Sequence, residues 1–188
     1  KLYKGFGEKT QLNVIETIEY YLNNKGSFLF SQMDLIAVSI KSFFEKIFPS
    51  NRIEFTGAFK RHLEVIEELE ILIDDSIANI KTKLSSVEDF ELKEDNVNDL
   101  LFKSSIGAKL RVINCAANDI LQQSFLRGCS PEFKATFHNT FPAINYASCK
   151  NEEDIFIQAG INFIPSFLRE SPAVINKAQQ GKLPEVIQ

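Results

Sequence analysis

The sequence predicts an α+β fold in which a mixed β-sheet carries helices on one side. Apolar residues recur at helical spacing in several segments, which favours helices there. Other short segments are β-prone or alternate between polar and apolar residues, which favours strands. With 188 residues, 44% of them hydrophobic, the chain can bury a sizeable core, and its length allows one large or two small domains.

Two helices are predicted in the first 50 residues. A glycine turn at residues 5–10, reading GFGEKT, opens the first helix. The apolar residues of this helix recur three or four positions apart, at Leu12, Ile15, Ile18 and Leu22. Ser31 and Asp34 give an S-x-x-D start to the second helix, which Pro49 closes. We expect the second helix to pack on the sheet.

The segment at residues 56–73, reading TGAFKRHLEVIEELEILI, is the most informative part of the chain. Its last part, residues 67–73, alternates charged and apolar side chains as a half-buried strand does. Residues two apart in a strand share a face, so Glu68 and Glu70 should stand side by side while the aliphatic residues between them point into the core. Such a carboxylate pair can bind a divalent metal, whereas an ordinary edge strand would only expose it to solvent.

The remaining elements follow in order along the chain. The polar run at residues 74–76 can cap a helix. The β-prone runs that follow lie at residues 90–92, 100–103 and 108–113, with a turn at 104–107. Helices are predicted at residues 116–126 and 131–141, and a last one begins after Asn151 and ends at Gly160.

Composition limits the partners and the compartment. The net charge of −4 disfavours a polyanion, so any contact with nucleic acid must come from local basic and backbone groups. No apolar run approaches ~18 residues and no signal-like segment begins the chain, which predicts a cytoplasmic protein without a membrane partner. Cys115, Cys129 and Cys149 are widely spaced, which argues against a disulfide framework or a zinc site and predicts reduced thiols.

The segment at residues 56–73 resembles the nucleotidyltransferase signature of family X DNA polymerases, in which a glycine-serine pair and a basic pair precede an Asp-x-Asp strand. The positions that match its phosphate- and nucleotide-binding part are Gly57, Ala58, Lys60 and Arg61. Ala58 replaces the serine, and Glu67 replaces a glycine, so the resemblance implies a weakened triphosphate pocket. The alternative for the two basic residues is a solvated turn.

The catalytic acids of that family fall on three altered positions of this chain. The two aspartates of the Asp-x-Asp strand match Glu68 and Glu70. The third aspartate, on a neighbouring strand, matches Lys109 in the run AKLRV. In the family these three acids hold two metal ions for nucleotidyl transfer, so the resemblance implies a compromised metal pocket. A charged lysine cannot ligate Mg²⁺, and we expect Lys109 to pair with the two glutamates in the metal's place.

Other segments match the same family in the same order. The GFGEKT turn is similar to the second helix-hairpin-helix of the fingers region, which implies DNA backbone contacts by Gly5, Gly7 and Lys9. Residues 160–171, reading GINFIPSFLRES, are similar to the end of the thumb. The turn after Phe125 corresponds to the thumb turn that lies under the incoming nucleotide, although we expect this ring to belong to the core.

The resemblance implies a nucleotidyltransferase (polymerase beta-like) palm with a mixed sheet, a helical fingers remnant and a small α/β thumb. The implied boundaries are residues 1–27 for the fingers remnant, 28–115 for the palm, and 116–188 for the thumb and the start of a C-terminal linker. Bacterial members commonly continue into a phosphoesterase domain of the polymerase-and-histidinol-phosphatase (PHP) type. Such a domain is therefore an expected partner in the parent chain.

These observations predict a family X-like core without polymerase activity that engages DNA, or serves as a scaffold, in a repair-type protein. No metal or cofactor is expected. One alternative is an active DNA polymerase in which Glu68 and Glu70 bind Mg²⁺ with help from another acid such as Glu54. A second alternative, which the negative net charge favours, is a protein–protein interaction domain.

Overall fold

The computed structural model of the protein describes residues 26–184. Its strands are β1 (Phe28–Leu29), β2 (Ile53–Thr56), β3 (Val65–Ile66), β4 (Glu68–Ile73), β5 (Phe90–Asp95), β6 (Asp99–Ser104) and β7 (Lys109–Asn114). Its α-helices are α1 (Phe30–Ile47), α2 (Gly57–Lys60), α3 (Ile77–Ser85), α4 (Ile120–Arg127), α5 (Pro131–Thr140), α6 (Glu152–Ala159) and α7 (Ala173–Gln179). Short 3-10 turns lie at Tyr146–Ser148 and Ser166–Leu168.

Five strands form one mixed sheet in the order β2-β4-β7-β6-β5. Strands β4 and β7 are parallel, and the other neighbouring pairs are antiparallel. A parallel pair needs a long crossover, which here contains α3 and the hairpin of β5 and β6. Strands β1 and β3 form a separate two-stranded ladder. The predicted α+β class with a mixed sheet is confirmed.

Helices cover both faces of the sheet. On one face, Leu69 of β4 is buried in a cluster with Phe44 of α1 and Ile80 of α3. We predicted helices on one side only, and this is wrong, because Ile120 of α4 packs with Leu72 on the opposite face. The segment after β7 therefore folds back across the sheet. Since α4 contacts the C-terminal half of β4, the N-terminal half of β4 on that face is left to charged side chains.

Side-chain caps fix two helix starts where the sequence predicted them. Ser76 accepts a hydrogen bond at the start of α3, and Asn151 accepts one at the start of α6. The predicted start of α1 at Ser31 is wrong. Leu29 is its N-cap residue, and the Leu29 N–H donates to Gln32 Oε1 at 3.1 Å. The helix begins early because the β1 ladder ends at Leu29 and the glutamine amide satisfies the freed backbone donor.

The described residues after Asn114 contain helices and turns but no strand, so the β component of the predicted α/β thumb is wrong. Their core is rich in phenylalanine, and its fully or nearly fully buried rings are Phe125, Phe133, Phe137 and Phe156. Phe125 is buried as predicted, because its ring packs edge-on against those of Phe137 and Phe156. The domain boundaries at residues 27 and 115 stay a prediction.

Candidate functional site

The paired glutamates lie at the start of β4, on the part of the face that α4 leaves open. Glu68 and Glu70 are partly exposed while the aliphatic residues that follow each of them are buried, which confirms the predicted alternation. In the parallel ladder with β7, Glu68 lies opposite Lys109 and Glu70 lies opposite Arg111. The three positions that match the family's catalytic acids are therefore brought together on neighbouring strands.

Arg111 is the centre of a charge network on this face. Its Nε donates to Glu68 Oε2 at 2.6 Å, and its Nη2 donates to Glu68 Oε1 at 3.2 Å. Its Nη1 donates to Asp99 Oδ1 at 2.7 Å and to Glu94 Oε2 at 3.1 Å. Hydrogen bonding to Glu68 is the main cause that raises the pKa of Arg111. One guanidinium thus neutralises carboxylates from three strands.

The same network changes the titration of Asp99. Burial by itself would raise the pKa of this carboxyl group, but hydrogen bonds from Asn96 and Arg111 outweigh burial and lower it. The lowered pKa extends the ionised state of Asp99, and its pairing with Arg111, to more acidic solution.

A second guanidinium holds the other glutamate. Arg127, at the end of α4, places Nη1 3.3 Å from Glu70 Oε2. Gly57, at the start of α2, approaches the same carboxylate, and a methyl group at this glycine would overlap Glu70 Oε1. The residue also has a φ of +66°, which glycine adopts without strain. Arg111 and Arg127 together leave neither glutamate without a cation.

Gly57→Ala is expected to destabilise the fold more than Gly160→Ala. The φ angles at the two glycines are 66° and 68°, so each substitution costs about 1–2 kcal/mol of backbone strain. A Cβ at Gly160 meets nothing within 4 Å, whereas one at Gly57 must displace the Glu70 carboxylate from Arg127. That displacement adds about 1 kcal/mol. Urea denaturation of both variants measures the difference, and equal losses would contradict the close approach.

The expected ion pair between Lys109 and the two glutamates is wrong. Although Lys109 lies opposite Glu68 in the ladder, its ammonium forms no ion pair with any residue from 26 to 184. Arg111 and Arg127 hold the two carboxylates instead. A guanidinium can bind one carboxylate through two parallel hydrogen bonds, which an ammonium cannot do, and this favours Arg111 over Lys109 as the partner of Glu68.

Glu54, the acid considered as a substitute metal ligand, shares the face of the pair but lies opposite neither glutamate. In the β2–β4 ladder Glu54 is opposite Leu72, which follows Glu70 by two residues and shares its face of the strand. Its carboxylate pairs with Arg52 at 3.3 Å. In the described part of the chain, no group of three or more His, Cys, Asp or Glu side chains is arranged to hold a metal ion.

The basic pair at the end of α2 points toward the C-terminal helices. Lys60 forms an ion pair with Glu152, and Arg61 forms one with Glu170. Arg61 Nη1 also donates to the carbonyl oxygen of Arg127 at 3.1 Å. Both side chains are largely buried, with 20% and 13% of their surface exposed. They are therefore neither free phosphate ligands nor parts of a solvated turn in this arrangement.

Glu152 connects Lys60 to a fully buried arginine. Arg169 Nη1 lies 2.7 Å from Glu152 Oε2, and no part of the Arg169 side chain is exposed. Its guanidinium carbon lies 5.0 Å from the centre of the Phe125 ring and 5.1 Å from that of Phe156. Burial alone would raise the pKa of Glu152, but Arg169 and Lys60 outweigh it and lower the pKa. The cluster ties α2 to the helical C-terminal part.

An open cleft of about 390 Å³ lies beside the glutamates. Its apolar lining comes from Ala58, Leu63 and Val65, and its charged lining from Glu67, Glu68 and Glu70. Ala58 and Glu67, the two altered positions of the triphosphate pocket that the resemblance implied, therefore line the same cleft. Glu67 is exposed and forms no ion pair within residues 26–184, so this wall carries negative charge that disfavours a triphosphate.

All three cysteines are free. Cys129 is buried in the C-terminal core, and burial raises its pKa to about 11. Because the thiolate is the reactive form, this cysteine is suited to packing and not to nucleophilic chemistry.

Two further predictions concern other parts or properties of the chain. Gly5, Gly7 and Lys9, the expected DNA contacts of the hairpin, lie outside the described residues. Among the helices of residues 26–184, none combines the length and the apolar character needed to cross a bilayer.

Sequence reasoning did not identify Arg111, Arg127 or Glu152 as members of the site. Arg111 carried a usable signal, because it lies two residues after Lys109 and must share its face of the strand. Arg127 and Glu152 carried no local signal, since their partners Glu70 and Lys60 are 57 and 92 positions away in the sequence.

Comparison with known proteins does not assign this site to a family. No protein-family model matches the chain, and no curated protein matches it significantly. Its function is therefore argued from the geometry of the glutamates and their guanidinium partners.

Proposed function

We propose that this chain is a nucleotidyltransferase-type palm of the family X kind that has lost nucleotidyl transfer and engages DNA within a repair-type protein. The observation that carries the proposal is the pairing of both strand acids with guanidinium groups. Arg111 holds Glu68 by two hydrogen bonds, and Arg127 lies 3.3 Å from Glu70. The carboxylates that would ligate divalent metal in an active relative are thus already neutralised.

Charge and geometry both argue against metal-dependent transfer at this site. A divalent ion beside Glu68 would have to displace a guanidinium that also serves Asp99 and Glu94. The third ligand position is Lys109, whose ammonium repels a cation. Each glutamate is also one methylene longer than aspartate, and a misplacement of roughly 1 Å can cost ~100-fold in rate.

Under this proposal, DNA is bound through its backbone and the palm presents it to other parts of a cytoplasmic protein. The amides of Gly5 and Gly7, with Lys9, would supply contacts to phosphate at the helix start that the sequence predicts. A C-terminal PHP phosphoesterase domain in the parent chain would act on the nucleic acid held there. The order in which the matching segments occur along the chain supports this assignment.

Primer extension tests the loss of transfer. With a gapped duplex, deoxynucleotides and either Mg²⁺ or Mn²⁺, we expect no extension above a protein-free control. The charge network would have to open for metal to bind, and the triphosphate would meet in the cleft the carboxylate of Glu67, which is unpaired among the described residues. Extension that Glu70→Ala abolishes would overturn the proposal in favour of an active polymerase.

Binding of gapped DNA, followed by fluorescence anisotropy over a range of salt concentrations, tests the DNA-engaging role. We expect weak binding whose affinity falls linearly with the logarithm of salt concentration, because each phosphate contact releases counterions. An absence of such binding would favour the protein–protein interaction domain instead.

A further inference from the structure

Two lysines face each other on the open part of the charged face. Lys103 of β6 lies directly opposite Lys109 of β7, which in turn lies opposite Glu68 of β4. Residues paired in this way share one face of the sheet, and directly opposed side chains have Cβ atoms ~4.5–5.5 Å apart. Both lysines are partly exposed. The two ammonium groups can therefore reach the same point above the sheet.

The acids beside the lysines are already engaged by other cations. Glu68, on one side, is held by Arg111 through two hydrogen bonds. Glu91, which is opposite Lys103 in the β5–β6 ladder, forms an ion pair with Lys93. Neither Lys103 nor Lys109 forms an ion pair within residues 26–184. Like charges placed opposite each other are unfavourable, and an anion between them would relieve the repulsion.

We propose that Lys103 and Lys109 together bind one phosphate of the DNA backbone. This inference deepens the proposed function, on which it rests, by naming a second surface that contacts DNA. A phosphodiester has two free oxygens, so each ammonium can contact one of them while the pair shares a single negative charge. The position that matches a metal-binding acid would then bind an anion directly.

The test compares anisotropy titrations of gapped DNA with the native chain and with a Lys103→Gln, Lys109→Gln variant. Losing one phosphate contact should lower the salt slope by about 1 and weaken binding roughly tenfold at 0.1 M salt. The matched control is Lys41→Gln, Lys46→Gln, which removes two exposed lysines from α1 on the other side of the sheet. This control should bind as the native chain does.

A Lys103→Arg, Lys109→Arg variant should retain the native salt slope, because it keeps both charges. This variant separates the loss of charge from an effect of substitution on folding. Salt-dependent binding that is equal in the native chain and the glutamine variant would overturn the lysine site and leave the proposed function standing. If the native chain shows no salt-dependent binding, the proposed function fails, and DNA as the ligand of the lysines fails with it.

Discussion

Glu152→Gln is expected to lower the free energy of unfolding by about 3–5 kcal/mol. The substitution removes the acid that pairs with both Lys60 and Arg169. Arg169 is fully buried, so its charge would remain in the core without a counter-charge. The faces of Phe125 and Phe156 offset only part of that cost.

Urea denaturation followed by circular dichroism measures this loss. Glu153→Gln is the matched control, because Glu153 is the next residue in the first turn of the same helix and is exposed. Its loss should stay within about 0.5 kcal/mol. Similar effects at positions 152 and 153 would contradict the account of the buried cluster.

The effect of Glu152→Gln should also depend on pH. The folded-state pKa of Glu152 is lowered by Arg169 and Lys60 despite its burial, so its contribution is complete above its unfolded pKa of ~4.3. The contribution is lost as pH falls through the lower, folded-state pKa. The stability difference between native chain and variant should therefore be constant above about pH 5 and shrink in stronger acid. A difference that grows on acidification would have the wrong sign.

Arg111→Ala is expected to destabilise the fold by about 2–3 kcal/mol, between the values typical of exposed and buried ion pairs. It leaves Glu68, Asp99 and Glu94 close together without their shared cation. The control is Arg52→Ala, because Arg52 pairs with a single acid and 55% of its side chain is exposed. Chemical denaturation of both variants should separate them by at least about 1 kcal/mol. Equal and small losses would show that Arg111 does not organise the charged face.

Local patterns were sufficient to predict much of the fold. The alternation of Glu68 and Glu70 with aliphatic residues follows from the two-residue period of a strand, and it held. The predicted caps at Ser76 and Asn151 were also confirmed, because a cap depends on a residue only three positions away in the sequence. The start of α1 could not be predicted locally, since it depends on where β1 stops pairing with β3.

The partners of the glutamates depend on strand order and on long-range contacts. Strand order places Arg111 between Glu68 on β4 and Asp99 on β6, and the sequence does not state that order. Lys109 lies on the strand next to Glu68, as predicted, and is directly opposite it. It is nevertheless not the ion-pair partner of Glu68, because the guanidinium of Arg111 has better geometry for binding a carboxylate. Arg127 reaches Glu70 only after the chain has folded back across the sheet.

The central claim is that guanidinium groups occupy the place of metal at Glu68 and Glu70. A titration of Mn²⁺ followed by electron paramagnetic resonance tests it most directly, with Arg111→Ala, which frees three acids, as a comparison that should gain affinity. For the native chain we predict free Mn²⁺ signal throughout the titration and no saturable site. Saturable binding of two Mn²⁺ ions that Glu70→Ala abolishes would contradict the claim.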